Sequence, residues 1–430
     1  MIAIVGGGIS GLALGWELSR RGVPFRLFEA SPEPGGVIRS ARVEGHVLDW
    51  GPQRIRLTAG LEAIVDALDL GDERLTAPGD LGLQVYHGGR LREIPFTARE
   101  FVVTDALSLA GKLRLLAEPL LPGPDPTESV GHFLRRKLGR EAAEHIVGPV
   151  YGGLYGSHPD EMIMGLSLGH VLTEFGIRRS LLWRLLRSGG RIPRPPAVSF
   201  RDGMATLPRA LARALGEAVQ LDTPVEGIER RGDGWRVRVR GGTLAADRIV
   251  LSVPAPVSAR LLREVAPEAA GRIASLRYNP IGVVHVESPA ELTGLGFKTS
   301  FAEDTALRGV TYNHAIFGRR GLSTIYLGGS THPCAVELGD EEMGALAVRE
   351  FRRITGHPAR VLAVGRERMP AWDATWRALE GIELPDGIDL VANWRARPGV
   401  PGRVAQAARV AERIARGQPA AADRASAGGV

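Results

Sequence analysis

The residues with the clearest chemical meaning are the glycines at positions 6, 8 and 11, which directly follow the apolar run 2–5. Four apolar residues predict a buried parallel strand. Glycines at this spacing allow a tight turn, a close backbone approach to a pyrophosphate and close packing of the next helix. The body of that helix is predicted over Leu12 to Arg21, and its N-terminus would hold the phosphates, with Ile9 and Ser10 among the cofactor-binding residues. The block therefore predicts a dinucleotide site.

The second strand of this unit is predicted over residues 24–28 and ends at Glu29 and Ala30. A carboxylate at this position suits the hydroxyls of an adenosine ribose. A second glycine pair, Gly35 and Gly36, follows soon after. A nicotinamide enzyme has no evident need for this pair, whereas in an FAD protein it lets the backbone run close to the extended cofactor, and Arg39 would add a cation there. The pattern favours FAD.

The next strand, residues 47–50, ends in Gly51, Pro52 and Gln53. Backbone without bulky side chains at this point could lie against a flavin ring. We therefore include these three residues in the predicted cofactor site.

Taken together, these residues resemble the FAD-dependent protoporphyrinogen and coproporphyrinogen oxidases within the amine-oxidase-like flavoproteins. The resemblance covers nearly the whole chain and is most specific in residues 148–162 and 199–208, with further matches at 250–255, 326–329 and 392–401. It implies an adenine contact at Val225. It also implies that the last cofactor contacts are Trp394, Pro398, Gly399 and Val400, and that Phe297 and Tyr326 face a macrocyclic substrate.

The resemblance implies oxidation of protoporphyrinogen IX or coproporphyrinogen III to the porphyrin in haem biosynthesis. Hydride would pass to flavin N5, with dioxygen or another acceptor reoxidising the flavin, and six electrons would leave in three turns. We assign no catalytic side chain, because the protein must chiefly position the ring and exclude water. Two alternatives stay open: another amine-oxidase-like flavoenzyme acting on amines or polyenes, and a catalytically idle flavin-binding protein.

The chain departs from the family at the pocket. Many relatives have an arginine just before the Tyr-x-Gly-Gly hairpin to hold a propionate, and the nearest residues here are Leu83 and Gln84. We expect an apolar pocket with a few cations. The predicted pocket residues are Phe297, Tyr326, Lys298 and Arg99, and Arg54, Arg56 and Arg92 are further candidates for the missing cation. The C-terminal motif also differs, with Arg397 and Gly402 where relatives usually have Gly and Asp.

Composition limits the remaining function classes. The net charge is +6, but only three of the 54 cationic residues are lysine, and the arginines are spread without a recognition motif, so we expect no nucleic-acid partner. No His/Cys cluster predicts a metal site, and Cys334 is the single cysteine. With a strand starting at residue 2 we expect no signal peptide and a cytoplasmic protein. A homodimer is left open.

The segment 178–187 contains several arginines, a leucine face and Trp183. It fits a docked helix with a solvated arginine face, and it also fits a helix lying on the inner face of the cell membrane.

The predicted fold is α/β: a discontinuous Rossmann-like FAD-binding domain, a mainly antiparallel substrate-domain sheet and a helical insertion. We assign residues 1–97, 197–259 and 366–417 to the FAD-binding domain, 98–196 to the insertion, which would cover the substrate or face a membrane, and 260–365 to the substrate sheet. The alanine- and glycine-rich residues 418–430 are predicted to be a disordered tail.

Overall fold

A computed structural model describes residues 1–174, 176–177, 179–187, 195–396 and 399–417. Pro398, Arg397 and the predicted tail 418–430 therefore lie outside the described residues. The strands are β1 (Ile2–Val5), β2 (Phe25–Phe28), β3 (Ser40–Val43), β4 (His46–Asp49), β5 (Ile55–Arg56), β6 (Arg74–Thr76), β7 (Gln84–His87), β8 (Arg90–Glu93), β9 (Ala197–Phe200), β10 (Val219–Gln220), β11 (Val225–Arg231), β12 (Gly234–Val239), β13 (Gly242–Ala246), β14 (Arg248–Leu251), β15 (Tyr278–Glu287), β16 (Gly296–Thr299), β17 (Leu307–Thr311), β18 (Leu322–Gly328), β19 (Arg360–Pro370) and β20 (Ile388–Leu390).

The α-helices are α1 (Ile9–Ser19), α2 (Ala59–Ala67), α3 (Ala98–Val103), α4 (Leu109–Leu116), α5 (Val130–Leu138), α6 (Arg140–Ala142), α7 (Gly148–Gly152), α8 (Leu168–Glu174), α9 (Leu181–Arg187), α10 (Thr206–Leu215), α11 (Ala255–Leu262), α12 (Pro267–Ala274), α13 (Asn313–Phe317), α14 (Asp340–Thr355) and α15 (Val400–Ala415). A π-helical turn over Ala143–Val147 joins α6 to α7.

The first sheet is parallel, with strand order β10-β2-β1-β14-β20. Successive side chains of β1 point to opposite faces, so Ile2 and Ile4 join the core beneath α1, α10 and α15, whereas Ala3 and Val5 join the core beneath β12, α11 and α12. Apolar side chains are needed on both faces, which is why β1 is apolar at every position. The predicted strand-helix-strand unit and the discontinuous α/β domain are confirmed.

The second sheet has the order β19-β15-β18-β17-β16-β7-β8 and is antiparallel except where β16 runs parallel to β7. Helix α14 packs on one of its faces. Two predicted domain boundaries need correction. The hairpin β7–β8 belongs to this sheet rather than to the FAD-binding domain, and β19 extends the sheet to Pro370. β7 pairs with β16, and this pairing satisfies the backbone hydrogen-bonding groups along the edge of β16. Local sequence patterns do not reveal which strand covers that edge.

The helical insertion has its own apolar core, formed largely by α5, α7 and α8. Within the insertion, Lys137 and Glu118 form an ion pair of 3.1 Å, with both side chains almost fully buried. Glu118 also accepts hydrogen bonds from the Ser180 hydroxyl and the Leu181 amide, so it caps the start of α9. Within the described ranges, no helix combines the length and the apolar character needed to cross a bilayer.

Candidate functional site

The turn between β1 and α1 is built so that only glycine fits at two positions. Gly6 has a φ of 107° and donates its amide to the Phe28 carbonyl at 2.8 Å. A β-carbon at Gly11 would lie 2.1 Å from the Gly6 carbonyl oxygen. Helix α1, whose first residues Ile9 and Ser10 are buried, can therefore start directly against the turn.

Gly8 differs from these two glycines. It has an ordinary extended conformation, and a β-carbon added there would meet no protein atom within 4 Å. The second glycine pair lies beside it: Gly35 donates its amide to the Gly7 carbonyl at 2.8 Å, and Gly8 and Gly35 form a parallel bridge. The fold thus brings the two predicted glycine blocks together around an open space, next to the N-terminus of α1. This space fits a pyrophosphate.

Glu29 lies at the edge of the same turn. One oxygen of its carboxylate accepts the Gly7 amide at 2.6 Å, and the other accepts the amide and hydroxyl of Ser31 at 2.9 and 2.7 Å. Ala30 beside it is exposed, and Val225 begins β11 close by, because the Thr223 amide donates to the Glu29 carbonyl at 2.8 Å. The residues predicted for the ribose and the adenine are therefore neighbours.

Two residues predicted to contact the cofactor, Arg39 and Trp394, make side-chain contacts with other parts of the protein. Arg39 is largely exposed and pairs with Glu367 of β19, which partly neutralises its charge. The sequence around Arg39 does not indicate that β19 lies nearby. Trp394 is fully buried, and its indole donates to the Val253 carbonyl at 3.0 Å. Its side chain supports the parallel sheet from the core. Gly399, with a φ of 87°, is the N-cap of α15, and the buried Val400 begins that helix.

Gly51, Pro52 and Gln53 lie where the FAD-binding domain meets the second sheet. A β-carbon at Gly51 would lie 2.2 Å from the Val37 carbonyl oxygen, so this residue allows two segments to approach closely. Gln53 is buried and contacts Asn313 and Thr324, each at 3.2 Å. The Gln53 side chain therefore links the FAD-binding domain to the second sheet. Gly51 and Pro52, which precede it in the chain, lie at the same contact between the two.

Sequence reasoning missed the buried charge that supports this junction. Asp49 is 1% exposed, accepts the Met204 amide at 2.8 Å and pairs with Arg319 at 2.6 Å. An aspartate at the end of an apolar strand was the available signal. Arg319, its partner far along the chain, carries no comparable sequence signal.

The predicted pocket residues are partly brought together. Lys298, Gly309 and Tyr326 are register partners across β16, β17 and β18, so Lys298 and Tyr326 lie on one face, with the lysine Nζ 5.7 Å from the tyrosine ring centre. Phe297 points to the opposite face and is fully buried under α14, which corrects its placement against a substrate. Arg99 is exposed on α3.

The environment of this pocket is positively charged and poorly solvated. Burial, together with the nearby charge of Arg54, lowers the pKa of Lys298 to about 8. Burial also lowers the pKa of Arg54 and raises the pKa of Tyr326 to about 12. The three side chains are half-buried and lie close to one another. The arrangement can attract an anion beside an aromatic surface.

His285, on the same sheet face, makes the fold sensitive to acid. Burial, reinforced by the charge of Arg319, lowers the pKa of His285 to about 3, while its Nδ1 lies 3.1 Å from the Thr324 hydroxyl. Because the unfolded imidazole has a pKa near 6.5, the folded state binds fewer protons, and stability is lost as the pH falls from about 6.5 toward 3. We expect His285→Gln to reduce the loss in unfolding free energy between pH 6.5 and 4.5 by about 2 kcal/mol. Urea unfolding at both pH values measures this, and equal losses in the two proteins would contradict it.

Comparisons with known proteins agree with this geometry. Residues 9–376 match the family model described as flavin containing amine oxidoreductase. The chain is 29% identical over 412 residues to human protoporphyrinogen oxidase, covering 86% of this chain and 85% of the human protein. It is 24% identical over 451 residues to coproporphyrinogen III oxidase of Bacillus subtilis, covering 90% and 95%. A crystal structure of a candidate protoporphyrinogen oxidase from Exiguobacterium sp. 255-15 aligns with a TM-score of 0.79 at 22% identity, covering 97% and 99%.

Proposed function

The chain belongs to the flavin containing amine oxidoreductase family and is an FAD-dependent oxidoreductase, and we propose that it oxidises a porphyrinogen to the porphyrin with dioxygen as the electron acceptor. The prediction of FAD as cofactor is thereby confirmed. The residues around Gly8, Gly35 and Glu29 would hold its pyrophosphate and ribose. When bound, the flavin supplies hydride acceptance, which no side chain of the protein can provide.

The observation that carries the proposal is the half-buried cluster of Tyr326, Lys298 and Arg54 beside the Gly51–Gln53 segment. A porphyrinogen is a large apolar macrocycle with carboxylate side chains, and it needs an aromatic surface together with positive charge. The protein's contribution to the reaction is to orient the macrocycle, neutralise its carboxylates and exclude water. The names of relatives that span most of the chain support the same substrate class.

The decisive experiment is anaerobic mixing of the FAD-loaded protein with protoporphyrinogen IX, which has two carboxylates, and with coproporphyrinogen III, which has four. We expect the absorbance of oxidised flavin to bleach with at least one of them, and oxygen uptake to follow when air is admitted. Flavin that stays oxidised with both porphyrinogens would sink the proposal. The faster bleaching identifies the preferred substrate.

The same experiment separates the two alternatives. An amine such as putrescine carries positive charge at neutral pH, and the charges of Lys298 and Arg54 would repel it, so we expect no bleaching by putrescine. Bleaching by an amine alone would favour an amine oxidase. A catalytically idle flavin-binding protein would show no reduction by any of these compounds.

We also propose a peripheral membrane contact through the helical insertion. In the part of the chain that the structure describes, the exposed large hydrophobic side chains all lie between residues 96 and 183. Leu109, Leu113 and Leu116 form an exposed stripe along α4, Leu120 follows it, and Trp183 is exposed on α9. An apolar patch with an interfacial tryptophan is typical of a surface that lies on a bilayer.

Replacing Leu113 with glutamate tests this contact. We expect binding to vesicles of phosphatidylcholine and phosphatidylglycerol to fall about tenfold, because one leucine would no longer be buried among the lipids. Thr243→Glu adds the same charge at an exposed position of β13 and serves as the control, which should bind like the unchanged protein. Co-flotation with vesicles measures both. The proposal fails if the unchanged protein does not float.

A further inference from the structure

The substrate pocket contains two cations to which the protein offers no carboxylate. Arg54 and Lys298 are both half-buried, and within the described ranges neither lies within ion-pair distance of an aspartate or glutamate. Two other arginines do have carboxylate partners: Arg319 pairs with Asp49, and Arg39 pairs with Glu367. A poorly solvated charge without a partner costs free energy, and an anionic ligand would offset that cost.

Lys298 is held in a defined position. Its stem occupies the gap left by two glycines, since β-carbons added at Gly309 and Gly153 would lie 2.9 and 3.2 Å from its Cδ. Its ammonium group lies over the ring of Tyr326, 5.7 Å from the ring centre. Because Gly153 is the C-cap of α7, the lysine side chain is positioned between the sheet and the helical insertion.

The neighbouring strand adds no cation at this level of the sheet. Residues 83–84 are Leu and Gln, and Gln84 begins β7, the strand that pairs with β16. Val85, the register partner of Lys298, is apolar.

We propose that Arg54 and Lys298 together bind one carboxylate of the substrate, while Tyr326 contacts the adjoining edge of the macrocycle. This inference rests on the proposed function for the identity of the substrate, but its central claim is binding of a carboxylate by these two side chains. A guanidinium and an ammonium group that bind the same carboxylate would fix the orientation of the ring relative to the cofactor. They would also select carboxylates over esters.

The test uses binding rather than turnover. The probes are coproporphyrin III and its tetramethyl ester, which keep the macrocycle and differ in charge, and binding to the FAD-loaded enzyme is followed by porphyrin fluorescence. Lys298→Met and Arg54→Met keep most of the apolar stem. We expect each to weaken binding of the free acid about tenfold, as for loss of a charge-assisted hydrogen bond, and to leave binding of the ester unchanged. Arg54→Lys should retain most of the affinity.

Two further readouts exclude a merely structural effect. If both cations bind one carboxylate, the double variant should lose less affinity than the product of the two single losses. Because the pKa of Lys298 is about 8 and a bound carboxylate favours its protonated form, binding of the acid should weaken as the pH rises from 7 to 9.5. This decline should disappear in Lys298→Met. FAD content and melting temperature check that each variant is folded.

Equal losses for the acid and the ester, or strictly multiplicative losses in the double variant, would overturn the shared carboxylate site. The two proposals fail separately. If the flavin is not reduced by any porphyrinogen but the acid-selective binding depends on both cations, the carboxylate site stands and the proposed function fails. If the flavin is reduced and the variants do not distinguish acid from ester, the proposed function stands and this site fails.

Discussion

Replacing Gly8 with alanine is expected to leave the apoprotein as stable as the unchanged protein while weakening FAD binding about tenfold or more, since overpacking of a close contact typically costs 1–3 kcal/mol. The added methyl group meets no protein atom within 4 Å, and the backbone at Gly8 is in an extended conformation open to any residue. The only group that it can obstruct is one that occupies the open space beside Gly8, next to the N-terminus of α1. Quenching of FAD fluorescence by the apoprotein gives the affinity, and urea unfolding gives the stability.

Gly11→Ala is the matched control within the same motif. Its β-carbon would lie 2.1 Å from the Gly6 carbonyl oxygen, so the turn or the start of α1 must move. We expect Gly11→Ala to lower the free energy of unfolding by about 3 kcal/mol and to lose FAD as a consequence. We therefore expect two different effects: Gly8→Ala should impair cofactor binding, and Gly11→Ala should destabilise the fold. If Gly8→Ala destabilised the apoprotein as much as Gly11→Ala, the open space would not be the cofactor site.

The motif could be predicted from sequence because each of its parts is local. The apolar strand, the glycines, the helix and Glu29 follow one another within a short stretch, and their spacing reflects the geometry of one strand-helix-strand unit. The sequence pattern predicted two separate glycine blocks. The structure adds the hydrogen bond between Gly35 and Gly7 that joins them.

The pocket could be predicted only in part, because it depends on pairings between distant segments. Alternation along β16 implies that Phe297 and Lys298 face opposite sides, but which side faces the pocket is decided by α14 and by the pairing with β17. Sequence therefore grouped both residues with Tyr326, and packing separated them. Asp49 and Arg319 show the same limit, since a buried ion pair between distant segments leaves no periodic signal in either.

The largest stability effect outside the cofactor motif is expected at Glu118, and it bears on the same helical insertion that we propose to contact lipid. Glu118→Ala removes the partner of the buried Lys137 and the acceptor for the Ser180 hydroxyl and the Leu181 amide at the start of α9. Lys137 would keep only the carbonyls of Glu118 and Leu121. Breaking a buried ion pair on one side typically costs about 3–5 kcal/mol, and we expect a loss of this size in urea unfolding of the FAD-loaded protein.

Two comparisons decide whether burial is the cause. Glu412→Ala removes an exposed partner of Arg416 on α15 and should cost about 0–1 kcal/mol. The double variant Glu118→Leu, Lys137→Met removes both buried charges, and it should recover much of the lost stability, because the penalty comes from an unpaired charge rather than from the missing attraction. If Glu118→Ala were as mild as Glu412→Ala, the pair would not hold α9.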